Sequence, residues 1–200
     1  MVLGKKGSDA PLGWDDPLPD ELVRQWQSWR DALVNLETVS VPRCYHPKNF
    51  GRVVRSEIHS FSDASKDGNG VVTYLRQVNE SGDVAFLFGQ ARMAPLQPTT
   101  IPRLELCSAV LSSQSVKKLL EELNLPIHEV VFYADSKVVL GYIQNDSRRF
   151  YVYVANRVHI IRGISDPTQW RYVETTLNPA DLASRGVAAE HLKEDRKSVV

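Results

Sequence analysis

Four acidic residues lie far apart in the chain, and each falls where a strand ends or a helix begins: Asp63, Glu105, Asp135 and Asp181. Carboxylates gathered in one place repel one another unless a cation neutralises them. The donors are all oxygen, and no Cys/His set has metal-ligand spacing, so the cation this pattern points to is Mg²⁺ or Mn²⁺. Two such ions about 4 Å apart activate a water and stabilise the leaving oxygen of a phosphodiester. The chemistry at issue is metal-assisted phosphodiester hydrolysis. Each acid also has a plainer reading taken singly. Asp63 could cap a turn, and Glu105 could serve a helix dipole or a capping box. Asp135 could cap the next helix, although Ser136 could do that as well. Asp181 would stand third in a helix that opens with Asn178 and Pro179, where an acid is favoured in any case. It is the quartet that makes a specific picture.

The elements that must hold these side chains follow from hydrophobic period. Residues 58–63 alternate with period two, which gives a strand ending at Asp63, with Asp63 on the face of Phe61, read as core-facing. Asp67-Gly68-Asn69-Gly70 reads as a turn, and residues 71–75 as the returning strand. Residues 83–89 give a third strand, reached through a hairpin turn at 79–82. A long helix is expected over 102–123, with Ala109, Val116, Leu120 and Leu123 on one stripe. Counting back four from Ala109 puts Glu105 on that inward stripe, in the first turn. The continuous apolar run 130–134 suits a central parallel strand buried on both faces. Helices over 136–144 and 153–164, a strand over 170–174, and a short helix over 179–185 stopped by Gly186 complete the order. That order is an α/β fold with a five-stranded mixed sheet, three antiparallel strands followed by two parallel ones, flanked by helices.

The 200 residues suit one domain with a small appendage. The formal net charge is zero, so any case for nucleic acid rests on local patches. Arg148, Arg149 and Arg157, with Phe150, Tyr151 and Arg162 nearby, form such a patch and are the candidate nucleic-acid contacts; a solvated helix face is the bland alternative. His159, on a helix among Val158, Ile160 and Ile161, reads as structural. Cys107 lies on a different helix face from Glu105 and reads as a small apolar packing group. Cys44 and Cys107 are too few for a disulfide framework or a zinc site, and no apolar run approaches the ~18 residues that span a bilayer. No secretory signal opens the chain. The expectation is an intracellular, cytoplasmic protein without a membrane partner. Residues 1–52 form a connector with one amphipathic helix, whose stripe is Leu22, Trp26, Trp29, Leu33 and Leu36; residues 53–190 form the main domain and 191–200 a polar tail.

Several long motifs in one order carry a resemblance. Phe61-Ser62-Asp63-Ala64-Ser65, Ile101-Pro102-Arg103-Leu104-Glu105-Leu106, Ala134-Asp135-Ser136-Lys137-Val138-Val139-Leu140 and Asn178-Pro179-Ala180-Asp181-Leu182-Ala183-Ser184-Arg185-Gly186 resemble the ribonuclease H domain of BEL/Pao-type LTR retrotransposon polyproteins. Val154-Ala155-Asn156-Arg157-Val158 and Gln169-Trp170-Arg171-Tyr172-Val173 are similar to that family too. Leu12-Gly13-Trp14-Asp15 and Val41-Pro42-Arg43-Cys44-Tyr45 resemble the segment that links its reverse transcriptase to ribonuclease H. The resemblance implies a ribonuclease H fold that cuts the RNA strand of an RNA–DNA hybrid, with the reverse transcriptase of the same polyprotein as partner. It implies two Mg²⁺ ions, with Mn²⁺ possible, both bound by Asp63. Glu105 and Asp135 would hold one ion, and Asp181 would complete the other. After Gly186 the family continues with an apolar, Trp-containing segment, whereas residues 191–197 here are polar. The expectation from that departure is a truncated or recombined copy, and the alternative function is an inactive nucleic-acid-binding or structural remnant. Similar sequences are sometimes labelled a Pao retrotransposon peptidase. An aspartic protease needs Asp-Thr-Gly or Asp-Ser-Gly, and neither occurs.

Overall fold

The computed structural model describes residues 13, 15–40, 51–79, 83–95, 99–147 and 149–187. Residues Arg43–Gly186 cluster as one compact unit; Met1–Pro42 with Val187–Val200 form another. In the latter, helix α1 (Asp20–Ala32) starts behind Pro19 with Asp20 and Glu21 in its first turn, where acids offset the helix dipole. Its Trp26 and Trp29 are exposed.

The larger unit is built on a five-stranded sheet. Strands β1 (Arg55–Ala64), β2 (Gly68–Val78) and β3 (Asp83–Met93) form an antiparallel meander, and β4 (Glu129–Ala134) and β5 (Trp170–Tyr172) add in parallel beyond β1. The spatial order is β3-β2-β1-β4-β5. Helices α2 (Ile101–Glu122), α3 (Lys137–Gln144) and α4 (Val152–Arg162) supply the crossovers. Helix α5 (Ala180–Arg185) ends at Gly186, whose φ of +78° is accessible to glycine at little cost. The architecture is the five-stranded mixed sheet with flanking helices read from the sequence. The third strand is longer than its apolar run, the hairpin tip at 80–82 falls outside the described residues, and the final strand is shorter than expected.

The core lies between the sheet and α2, α3 and α4: Ile58, Leu75, Leu106, Ala109, Phe132, Val139, Ile143, Ile161 and Trp170 are all buried. Phe132 and Trp170, neighbours across β4 and β5, stack with ring centroids 4.7 Å apart. Two expectations need correction. The core face of β1 is the one with Ile58, Ser60 and Ser62, whereas Phe61 and His59 lie only half-buried on the other face. Ser60 tolerates burial because its hydroxyl bonds Thr73 Oγ1 at 2.9 Å and Ser112 Oγ at 2.8 Å, which satisfies the polar group at the β1–α2 contact. On α2, Leu120 is 42% exposed, and hydroxyls of Ser108, Ser112 and Ser115 share the buried stripe in place of larger apolar groups.

Candidate active site

The carboxyl ends of β1 and β4 lie side by side, because Ser62 pairs with Ala134. Asp63 stands one residue past that pair on β1 and Asp135 directly follows β4. The N-terminal half of α2 approaches the same edge, with Ser108 Oγ donating a hydrogen bond to the main-chain carbonyl of Asp63. That contact sits one helical turn beyond Glu105, so it fixes the helix bearing Glu105 to the strand bearing Asp63.

Asp181 arrives on α5, and the way α5 docks explains a misread motif. Gly68-Asn69-Gly70 is part of β2 rather than a turn, which falls at residues 65–67. None of these residues needs positive φ. A Cβ on Gly70 would stand 2.6 Å from Ala180 O, 2.7 Å from Ser184 N and 2.8 Å from Ala183 Cβ. The glycines therefore let the backbone of α5 lie directly on the strand. Asn178, buried, ties the approach to β1: its Nδ2 donates to Ser62 O at 3.1 Å and its Oδ1 accepts from Ala180 N at 3.1 Å. Ser65 Oγ donates to Ser184 O at 2.7 Å.

Asp63 lies within reach of the charges of Asp135, Asp181 and Glu105, and Glu105 within reach of that of Asp135. Asp63 is 7% exposed, and burial pushes its carboxyl above the usual range. A hydrogen bond from Ser184 opposes that rise, and the charges of Asp135 and Asp181 add to it. Burial likewise raises Glu105, opposed by a hydrogen bond from Ser136 and reinforced by Asp135 and Asp63. Asp63 thus faces all three of the others. Their current partners are protein groups: Ser184 Oγ donates to Asp63 Oδ2, Ser136 Oγ donates to Glu105 Oε2 at 2.6 Å, and Arg185 Nε stands 2.7 Å from Asp181 Oδ1. The Arg185 contact is an ion pair without an aligned hydrogen bond, because Asp181 Oδ1 is buried and has no hydrogen-bond partner. Among the described residues, no three His, Cys, Asp or Glu side chains already stand as a metal cage. The donor chemistry still fits a hard divalent cation: it is all carboxylate, and two members are raised by burial and mutual repulsion.

The family model for the Pao retrotransposon-like RNaseH-like domain matches residues 3–136. The chain belongs to that family. Its fold is correspondingly RNase H-like, and solved structures to which the chain is similar include LC11 RNase H1 in complex with an RNA/DNA hybrid (14% identity, 69% of this chain and 99% of that one, TM-score 0.45). The N-terminal RNase H domain of a Mycobacterium tuberculosis protein (13% identity, 74% and 100%, TM-score 0.43) and RNase H1 of Halobacterium salinarum (12%, 70% and 98%, TM-score 0.41) are further examples. A comparison with curated proteins gives no match. No helix among the described residues of this RNase H-like chain is long and apolar enough to cross a membrane.

The predicted basic patch divides. Arg148 lies outside the described residues, and Arg149 is exposed in the loop before α4. Arg162 is committed to structure: it donates to Ile143 O at 2.9 and 2.8 Å and pairs with Asp146 at 2.8 Å. Arg157 faces a cavity of about 300 Å³ beside α2, shared with Asn69, Arg92, Gln114 and Asn156. Its guanidinium lies 3.4 Å from the centroid of Tyr153, with Arg103 on the same ring at 4.8 Å. Cys107 is not simple apolar packing, because its Sγ is 3.2 Å from Tyr153 Oη and accepts from Arg157 Nε at 3.3 Å. His159 is exposed rather than packed. The sequence reading missed Asn69, whose Oδ1 is buried without a hydrogen-bond partner in this cavity wall. Its position between two glycines disguised it as a turn residue.

Proposed function

We propose that this domain hydrolyses the RNA strand of RNA–DNA hybrids. The observation that carries the reading is that Asp63, almost fully buried, faces the charges of Asp135, Asp181 and Glu105 at one sheet edge in a member of an RNaseH-like family. Mg²⁺, replaceable by Mn²⁺, is the proposed cofactor, held by Asp63, Glu105 and Asp135 on one side and by Asp63 and Asp181 on the other. Two such ions supply an activated water and a charge to stabilise the leaving oxygen. The protein's own part is to present ionised carboxylate oxygens in fixed directions and to keep bulk water from the inner face of Asp63. The cavity with Asn69, Arg92, Asn156 and Arg157 is lined by Cys107 and Gln114 of α2, and offers guanidinium and amide groups to backbone phosphates and 2′-hydroxyls.

The proposed partner besides the hybrid is the reverse transcriptase region of the same polyprotein, with residues 1–52 as the connector, 53–190 as the nuclease and 191–200 as a tail. The free thiol of Cys107 fits the intracellular, cytoplasmic setting inferred from the sequence. A second reading is favoured by the lack of a preformed cage among the described residues and by the Arg185 contact on Asp181: an inactive remnant that binds nucleic acid without cutting it. Labelled hybrid incubated with Mg²⁺ decides between them. Cleavage by the wild type that disappears in Asp135→Asn supports hydrolysis, cleavage indifferent to that substitution removes the mechanism, and binding without cleavage selects the remnant.

A further inference from the structure

We propose that Ser184 and Ser136 are positioning residues, each orienting a carboxylate that belongs to a different element of the site. The inference rests on the nuclease reading above. Ser184 is on α5, one turn after Asp181, yet its hydroxyl reaches Asp63 Oδ2 at the end of β1. Ser136 follows Asp135 at the end of β4, yet its hydroxyl reaches Glu105 Oε2 on α2 at 2.6 Å. Each serine thus links the backbone next to one acid to the side chain of another. Between them, the two hydroxyls join all four carboxylate-bearing elements in two crosswise ties.

The hydroxyl chemistry leaves little freedom. A serine has one proton to donate. Ser184 Oγ is also 3.0 Å from Asp181 O, but a charged acceptor outcompetes a neutral carbonyl, so the proton goes to Asp63. Ser136 uses both roles, donating to Glu105 while accepting from Val139 N at 3.3 Å as the cap of α3. Both serines are buried, at 3% and 8% exposure, so water does not replace the bond if it is lost. A donor fixed on one carboxylate oxygen sets the rotation of the group and leaves the other oxygen free to face a cation. Losing such an outer partner lowers metal affinity by about 10–100-fold in metalloproteins generally.

The test uses the full chain and Mn²⁺ as probe, counted by electron paramagnetic resonance without nucleic acid, with kcat and KM on hybrid in parallel. Ser184→Ala and Ser136→Ala are expected to bind Mn²⁺ about tenfold or more weakly and to lower kcat at limiting metal, with KM for hybrid within about twofold of wild type. Ser136→Thr keeps both hydroxyl roles and is expected to restore affinity. Should Ser184→Ala fail to fold, Ser184→Cys keeps the volume with a weak donor, and the same loss is expected. Alanine variants that fold and bind Mn²⁺ as tightly as the wild type, beside an Asp63→Asn that does not bind, would overturn this inference and leave the nuclease reading standing. A wild type that binds no Mn²⁺ and cuts no hybrid removes both.

Discussion

Gly70→Ala is the most direct perturbation of how the fold delivers Asp181. A new Cβ would lie 2.6–2.8 Å from three atoms of α5, where ordinary contact begins near 3.4 Å. Two of the three, Ala180 O and Ser184 N, are backbone and cannot rotate away. Either β2 and α5 strain apart or α5 lifts from the sheet. Overpacking of this kind costs about 1–3 kcal/mol, and fixed backbone neighbours put this site at the upper end. For a chain of this size about 3 kcal/mol corresponds to a fall in Tm of about 6–12 °C. Calorimetry measures that fall, and hydrogen exchange at Gly186 N, bonded to Leu182 O at 2.9 Å, reports whether α5 has loosened. Gly141→Ala is the control: its Cβ meets nothing within 4 Å on an exposed helix position, so it should stabilise by about 0.5–1 kcal/mol. A Gly70→Ala protein with unchanged Tm, unchanged α5 protection and unchanged cleavage would refute the close-approach account of this glycine.

Asp63→Asn should raise Tm of the metal-free protein at pH 8. The folded carboxyl is raised, so stability is full below the ordinary carboxylate range and declines as pH climbs through the raised value, a decline the amide lacks. Thermal scans from pH 4 to 8 with and without Mg²⁺ should show the ion stabilising the wild type most where the acids are ionised, and the increment shrinking near pH 4. Glu57 behaves oppositely: burial alone would raise it, but hydrogen bonds from Arg76 and His59, the Arg76 charge and a bond from Arg55 hold it at about 2 against 4.5 when unperturbed. Its stabilisation is present above about pH 4.5 and lost as pH falls towards 2. Arg55 and Arg76 are each 47% exposed, so solvent screening trims the gain and Glu57→Gln should cost about 1–2 kcal/mol at neutral pH, read from acid denaturation curves. Arg157→Ala should weaken hybrid binding and reduce its salt slope by about one, whereas Arg162→Ala should leave the slope alone and lower Tm, as filter binding across salt and calorimetry will show.

Much of the sheet was legible because its signals are local. The apolar run of β4, the alternation of β1 and the proline-led start of α2 each declare an element within a few residues. The phase of β1 was not legible: Phe61 is the natural core candidate by hydropathy, and Ser60 becomes one only when Thr73 and Ser112 from two other elements supply partners for its hydroxyl. Gly68-Asn69-Gly70 failed for a related reason. A glycine pair around asparagine has the same composition whether it serves a turn or the approach of a distant helix, and the helix that decides it begins at Ala180. The four acids could be placed at element ends from sequence, but which oxygen meets which donor depended on Ser184 and Ser136, whose partners are distant in the chain.

The energetics of the site follow from that placement. Asp63 and Glu105 are held at the sheet edge by packing, by one hydroxyl donor each and, for Asp63, by the backbone N–H of Ala64, and among the described residues neither receives a protein cation in exchange for lost water. A protein selected only for stability would neutralise or remove such a pair, since buried like charges oppose folding. Arg185 stands on the outer acid, Asp181, and is itself 64% exposed, so its contact is worth only the few tenths of a kcal/mol of a solvated pair on one helix. That is weak enough for a divalent ion to displace. The burial cost and repulsion that lower stability without metal are therefore what a bound cation would offset. Metal-induced stabilisation and the neutral-pH cost of Asp63 should rise and fall together across variants of the site, and a variant that separated them would place the cation elsewhere.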